Sequence, residues 1–206
     1  LYSETCQLVV RADSNIQTLD DLSGHTVSIG AEESGTERNA TQILEFAGMP
    51  SSLVATKNLD YIEATKELKA GDIDAFFCTA GLTTTVIDEL SKECDIRLIP
   101  LTDTVISKML ESSLAYTSEV IPAGTYTGQT TDINTIGVKS VLITKADVSD
   151  DTIEQLTSLL FEKENEISYS NSLKLELTYD FATDDIPIPF HDGAKRYYKA
   201  CGYSTN

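Results

Sequence analysis

Between residues 7 and 101 short apolar runs alternate with segments of helical period, and no other feature restricts the fold as strongly. QLVV at 7–10, TVSIG at 26–30, LVAT at 53–56, DIDAFFC at 72–78 and RLIPL at 97–101 have strand character. Between the first two, TLDDLSG makes a short helical turn that Gly24 ends. In the segment 36–48, Ala40, Ile43, Leu44 and Ala47 recur at three and four residues, and Gly48 with Pro50 stops the helix. YIEATKELKAG at 61–71 and TTVIDELSKE at 84–93 read as two further helices. Strands alternating with helices of about ten residues imply βαβ units and a mainly parallel sheet, an α/β class.

From Thr104 the pattern loosens. TVISKMLESS has a helical reading, LAYTSEVIP is mixed, and AGTYTGQTTD at 123–132 is a Gly/Thr-rich loop that marks a boundary. NTIGVKSVLITK at 134–145 reads as one long strand. The segment 147–167 reads as a helix capped by Ser149 or Asp150, with Ile153, Leu156, Leu160 and Ile167 on one face. SYSNS at 168–172 is polar, LKLELTYDFATDD is ambiguous between strand and partly helical loop, IPIPF is extended, and HDGAKRYYKACG makes a short terminal helix. No internal repeat or low-complexity tract interrupts the chain.

A length of 206 residues accommodates one large domain or two lobes of about a hundred residues each. With 33 acidic against 15 basic residues the formal charge is -18, and no Lys/Arg cluster offsets it, so a nucleic acid is not an expected partner, nor is an anionic membrane surface. A small anion can still bind where local amides and one or two cations outweigh distant charge. No run of 18 apolar residues is present, so membrane insertion is not expected. The start LYSETCQLVV has neither a basic n-region nor an initiating Met, from which further upstream chain is expected.

Cys6, Cys78, Cys94 and Cys201 are far apart, without C-x-x-C or His pairing, which argues against zinc and against a dithiol redox motif. Cys78 reads either as a buried free thiol or as a partner of Cys94. His25 sits in an SGH turn and His191 at the start of the terminal helix, with no nucleophile motif near either, and the acidic pairs are sequence neighbours of the kind that occupy turns. No catalytic residue, cofactor or metal site is therefore expected.

Two turns of small residues stand out. In TVSIGAEESGTERNA a strand leads into a helix, with Ser34 and Glu37 in the S-x-x-E spacing of a capping box. The same turn has a second reading, in which Gly35 lets a ligand approach the backbone. Amides near Thr36 and the hydroxyls of Ser34 and Thr36 would then receive a carboxylate or phosphate at the positive helix end. CTAGLTTT at 78–85 is the second turn: it reads either as a plain strand-to-helix connection made by Gly81 and the threonines or, since ligands of open α/β sheets bind outside the carboxyl ends of strands, as a second wall of the same crevice. Walker and dinucleotide fingerprints are absent from both.

The run from LVVRADS to EFAGM, the phrase GDIDAFFCTAGLTTTVIDEL, the loop IPAGTYTGQTTDINTIGVKSVLITK and the ending HDGAKRYYKACGY resemble, in order, the TAXI-type solute-binding receptors of TRAP transporters. The resemblance implies a periplasmic-binding-protein fold of the second type, two α/β lobes with a ligand cleft, the first lobe incomplete in this chain. Residues 1–10 would be part of lobe I, 11–133 lobe II, and 134–206 the returning part of lobe I. It also implies a non-enzymatic extracytoplasmic receptor, periplasmic or a cell-surface lipoprotein, that passes a glutamate- or glutamine-like amino acid or other small carboxylate to TRAP membrane permease subunits. Ligand contacts would fall on Ser34, Gly35 and Thr36, on Thr79, Ala80 and Gly81, and on Tyr126. Two departures from the family pattern bear on specificity: Ala31, Glu32 and Glu33 stand where relatives have a Gly/Pro-rich turn, and Leu82 with Thr83 where they have a proline. A regulatory effector-binding domain and an enzyme on the same fold are the alternatives, and the upstream sequence would discriminate them.

Overall fold

A computed structural model describes residues 1–164, 166, 167, 175 and 177–205, and the chain divides into two compact units, Glu4–Val138 and Leu1–Ser3 with Lys139–Asn206. The boundaries read from the sequence, at 10/11 and 133/134, fall within strand β1 (Ser3–Arg11) and at the first residue pair of β7 (Ile133–Lys139).

In the larger unit β1 is followed by a 3-10 turn at Asp20–Leu22, then β2 (Thr26–Ser28), α1 (Gly35–Phe46), β3 (Ala55–Lys57) and α2 (Tyr61–Ala70). The order continues with β4 (Ala75–Ala80), α3 (Thr85–Glu93), β5 (Ile96–Leu98), α4 (Asp103–Ser112), β6 (Tyr116–Ile121) and β7. The strands form one sheet in the order β3-β2-β4-β1-β7-β6, with β5 paired to β1 as well. β2 runs parallel to β3 and β4, as helical crossovers require. The mainly parallel sheet expected from the sequence holds only for this part. β1 is antiparallel to both β4 and β5, and β6 is antiparallel to β7. The cause is the connection after β1, a reversing turn rather than a crossover helix, closed by Gly24 at φ +84.

Both faces of the sheet are covered. Leu8, Val10, Val27, Phe77 and Ile136 pack with Ile43, Leu44 and Met109 on one side, whereas Val9, Phe76 and Cys78 pack with Leu68, Ile87 and Leu90 on the other. The apolar run in each central strand follows from this two-sided burial. Arg97 secures the loop after β1 by donating to the carbonyls of Ala12, Ser14 and Ile16.

The helices begin where side-chain oxygens cap them: Ser34, Asp60, Thr102 and Ser149 each accept from the N–H three residues on. α2 ends at Gly71, whose φ of +82 supplies the left-handed cap.

In the smaller unit α5 (Asp150–Glu162), a short helix α6 (Tyr179–Thr183) and α7 (Asp192–Ala200) carry the packing. Ser149, one of the two expected caps, is the one that caps α5; α5 ends at Glu162, and after a turn at Lys163 the described residues Glu164, Glu166 and Ile167 are again helical. The long strand expected over 134–145 stops at Lys139; Val141, Leu142 and Ile143 beyond it are exposed and unpaired among the described residues. SYSNS lies outside the described residues, as does most of LKLE; of the rest of the ambiguous segment, YDFAT is helical. Phe161, Tyr179, Tyr197, Tyr198 and Tyr203 form an aromatic cluster of stacked, tilted and edge-to-face contacts, and Arg196 pairs with Asp150 and Asp151.

Gly193 sits so close to α5 that an added Cβ would lie 2.2 Å from the Asp150 carbonyl oxygen. Backbone cannot give way as a flexible side chain can. Gly193→Ala should therefore destabilise this unit by about 1–3 kcal/mol, read as an earlier urea transition followed by tyrosine fluorescence.

Candidate functional site

The turn between β2 and α1 is built from the sequence up. Gly30 has φ +98, and a Cβ there would fall 2.7 Å from Thr36 Cβ and 2.9 Å from its methyl, so the chain can fold back over Thr36 only at a glycine. Glu33 is left-handed at φ 61, and its N–H donates to Glu37 Oε2 at 2.6 Å. Ser34 Oγ in turn accepts from Glu37 N–H at 3.1 Å. The expected capping box forms with one change: the Glu37 carboxylate reaches the residue before the cap. Asn58 holds that carboxylate from the other side at 2.7 Å. Glu32 and Glu33, which stand in place of a Gly/Pro-rich turn, are exposed. An added Cβ at Gly35 would meet nothing within 4 Å, so the backbone there faces open space.

That space is a cleft of about 600 Å³ within the larger unit, walled by Ser34, Gly35, Thr36, Arg38, Asn39 and Gln42 of α1. Tyr61, Thr79, Ser113, Ala115, Tyr116, Glu4 and Val138 complete it. A chain of hydrogen bonds runs along its floor. Thr36 Oγ1 lies 2.6 Å from the Tyr61 hydroxyl, which donates to the Thr79 carbonyl at 2.9 Å and accepts from the Thr79 N–H at 3.3 Å. Asn39 Nδ2 donates to Thr79 Oγ1, and the Tyr116 hydroxyl meets Asn39 Oδ1 at 3.0 Å and Gln42 Oε1 at 2.7 Å. Burial raises the Tyr61 and Tyr116 phenols above their ordinary value, the nearby Arg38 charge opposing the shift at Tyr116. Arg38 is exposed and forms no ion pair among the described residues, which leaves a cation beside the positive end of α1.

Of the residues singled out in the sequence, Ser34, Gly35, Thr36 and Thr79 come together here. Ala80 closes β4 and Gly81 follows it, both half-buried and neither lining the cleft. Tyr126 is buried in the core under α3, where its hydroxyl donates to Gln7 Oε1 at 2.7 Å and accepts from the Thr84 N–H at 3.2 Å. Arg38 and Gln42 share a helix face four residues apart, a spacing visible in the sequence. Tyr61, Tyr116 and Glu4 arrive from other elements and leave no local signal.

The smaller unit holds a second cavity of about 290 Å³, walled chiefly by apolar side chains such as Leu142, Leu160, Phe161 and Tyr198. His191 caps α7 through Nδ1, accepting from the Gly193 N–H, and His25 pairs with Asp74 in its turn. Among the described residues no three His, Cys, Asp or Glu gather as a metal site, and no helix is long and apolar enough to cross a membrane.

A family model described as the NMT1-like family matches residues 1–202. The chain belongs to the NMT1-like family. Its structure is similar to the periplasmic aliphatic sulphonate binding protein SsuA from Escherichia coli, with a TM-score of 0.51 at 15% identity over 98% of this chain and 63% of that one. It is also similar to a structure reported for glutathione import in Gram-positive bacteria via GshT and the cystine ABC importer TcyBC of Streptococcus mutans. There the TM-score is 0.52 at 14% identity, over 87% of this chain and 64% of that one. This NMT1-like chain thus has the α/β fold of periplasmic-binding-protein-like structures and spans somewhat under two thirds of the length of these two chains.

All four cysteines are free, so the option of a Cys78–Cys94 bridge is not realised. Burial pushes the Cys6 and Cys78 thiols up to about 12. At pH 8 only about one in ten thousand of either is thiolate, so a thiol reagent should label Cys201 first, then Cys94, and reach Cys6 and Cys78 only on unfolding. The raised folded values make this a contribution present below the unfolded thiol value of 9.0 and lost as pH rises toward 12. Urea midpoints should fall from pH 8 to pH 10, and fall less in Cys6→Ala/Cys78→Ala.

Proposed function

We propose that this chain is the solute-capturing part of an extracytoplasmic receptor that serves a TRAP-type membrane permease, without catalytic activity, and that it takes an amino acid or small carboxylate. The observation that carries the reading is the cleft at the head of α1, where an open backbone at Gly35, the first-turn amides and Arg38, without an ion-pair partner among the described residues, face one space. In a chain of charge -18 such a local set of donors is what lets an anionic group bind. The volume of about 600 Å³ is in the range of small-molecule sites. The ordered phrases resembling TAXI receptors support the TRAP permease as partner and the periplasm or outer cell surface as location. In the same reading residues 11–133 act as the second lobe, with 1–10 and 134–206 belonging to the first, and Ser34, Gly35, Thr36 and Thr79 touch the solute. Ala80, Gly81 and Tyr126 support the turn behind them.

Calorimetry on the full-length protein with a panel of amino acids and dicarboxylates tests this. Thr36→Ala and Gly35→Val should each weaken the best binder by about tenfold or more, and Arg38→Ala should weaken it most at low salt. Unchanged affinity in both Thr36→Ala and Gly35→Val would show that the solute binds elsewhere.

A further inference from the structure

We propose that Tyr61 determines what the cleft accepts at Thr36, and that the accepted group is an N–H donor such as an ammonium or amide; this rests on the reading of the cleft given above. A phenol hydroxyl has one proton and two acceptor sites. Tyr61 gives its proton to the Thr79 carbonyl, which has none to offer, and one acceptor site to the Thr79 N–H, which can only donate. The Thr36 hydroxyl, 2.6 Å away, occupies the remaining acceptor site and is therefore the donor of that bond. Its only proton is then committed. What Thr36 Oγ1 has left is a lone pair.

Two neighbours hold this arrangement. The Thr36 methyl packs over Gly30, so the hydroxyl cannot turn away from Tyr61 without moving the methyl off the one residue that leaves room for it. The Cys78 thiol beside Tyr61 stays protonated, its value pushed up to about 12 by burial, and offers only a weak S–H donor. A ligand carboxylate set against Thr36 Oγ1 would oppose acceptor to acceptor, whereas an N–H pairs with it. The donors of the same wall, Arg38 and the α1 amides at Gly35 and Thr36, remain for the carboxylate. An amino acid matches both sets and its deaminated counterpart only one.

Calorimetry on the full-length protein with two probe pairs, L-glutamate against glutarate and L-alanine against propionate, reads the preference directly. In the wild type the amino acid of the bound pair should be favoured by at least about tenfold. Tyr61→Phe, which frees the Thr36 proton, should narrow the ratio to about threefold or less with an unchanged circular dichroism spectrum. Thr36→Val should narrow it likewise, and Thr36→Ser should retain it. Equal weakening of both members of a pair in Tyr61→Phe would make Tyr61 a merely structural residue and overturn the proposal while leaving the receptor reading intact. A wild type that prefers the deaminated probe overturns it as well, and a wild type that binds none of the four probes counts against both.

Discussion

The pairing of β1 with β4 is the contact on which the larger unit depends. Thr5 to Val10 lie in antiparallel register with Ala80 to Ala75, and each strand sends alternate side chains to opposite cores. Leu8 and Phe77 serve one face, Val9 and Phe76 the other. A one-residue slip would exchange the two sets and place Gln7 and Thr5 among the wrong neighbours. β5 and β7 then attach to the far edge of β1, so that most of the sheet is arranged about this single strand.

The direction of β1 also shapes the cleft. β4 delivers Thr79 at its carboxyl end, as parallel-sheet reasoning expects, but β1 runs the other way, and its beginning therefore lies beside that end. Glu4 reaches the cleft for this reason, and Tyr116 with Val138 does so as one register pair of β6 and β7. The wall opposite α1 is thus built from strand starts as well as strand ends. Tyr61 ties the two sides together, since one hydroxyl touches both the head of α1 and the Thr79 backbone near the end of β4.

Local signals were legible wherever they depended on neighbours in the chain. Ser34 and Glu37 announced the head of α1, Gly71 its counterpart at the end of α2, and His191 the cap of α7. Where a second element decided the outcome, local signals did not suffice. VLIT at 141–144 has all the propensity of a strand, yet propensity supplies no partner and the ladder ends at Lys139. Tyr126 sits in a Gly/Thr-rich loop of the sort that contacts ligands, but Gln7 and the Thr84 N–H draw its hydroxyl into the core. Gly35 drew notice for its place before the helix, while the glycine that the turn cannot replace is Gly30, whose constraint comes from Thr36 six residues on.

What the sequence by itself determined is the succession of strands and helices, the apolar runs of the central strands, and the turn that opens α1, because periodicity and capping act over a few residues. Only the tertiary structure decided the direction of β1, the company of Glu4, Arg38, Tyr61 and Tyr116 around one cleft, and the separation of Cys78 from Cys94. Those depend on which strand edges meet, and strand pairing is settled by contacts between residues tens of positions apart, for which no local pattern exists.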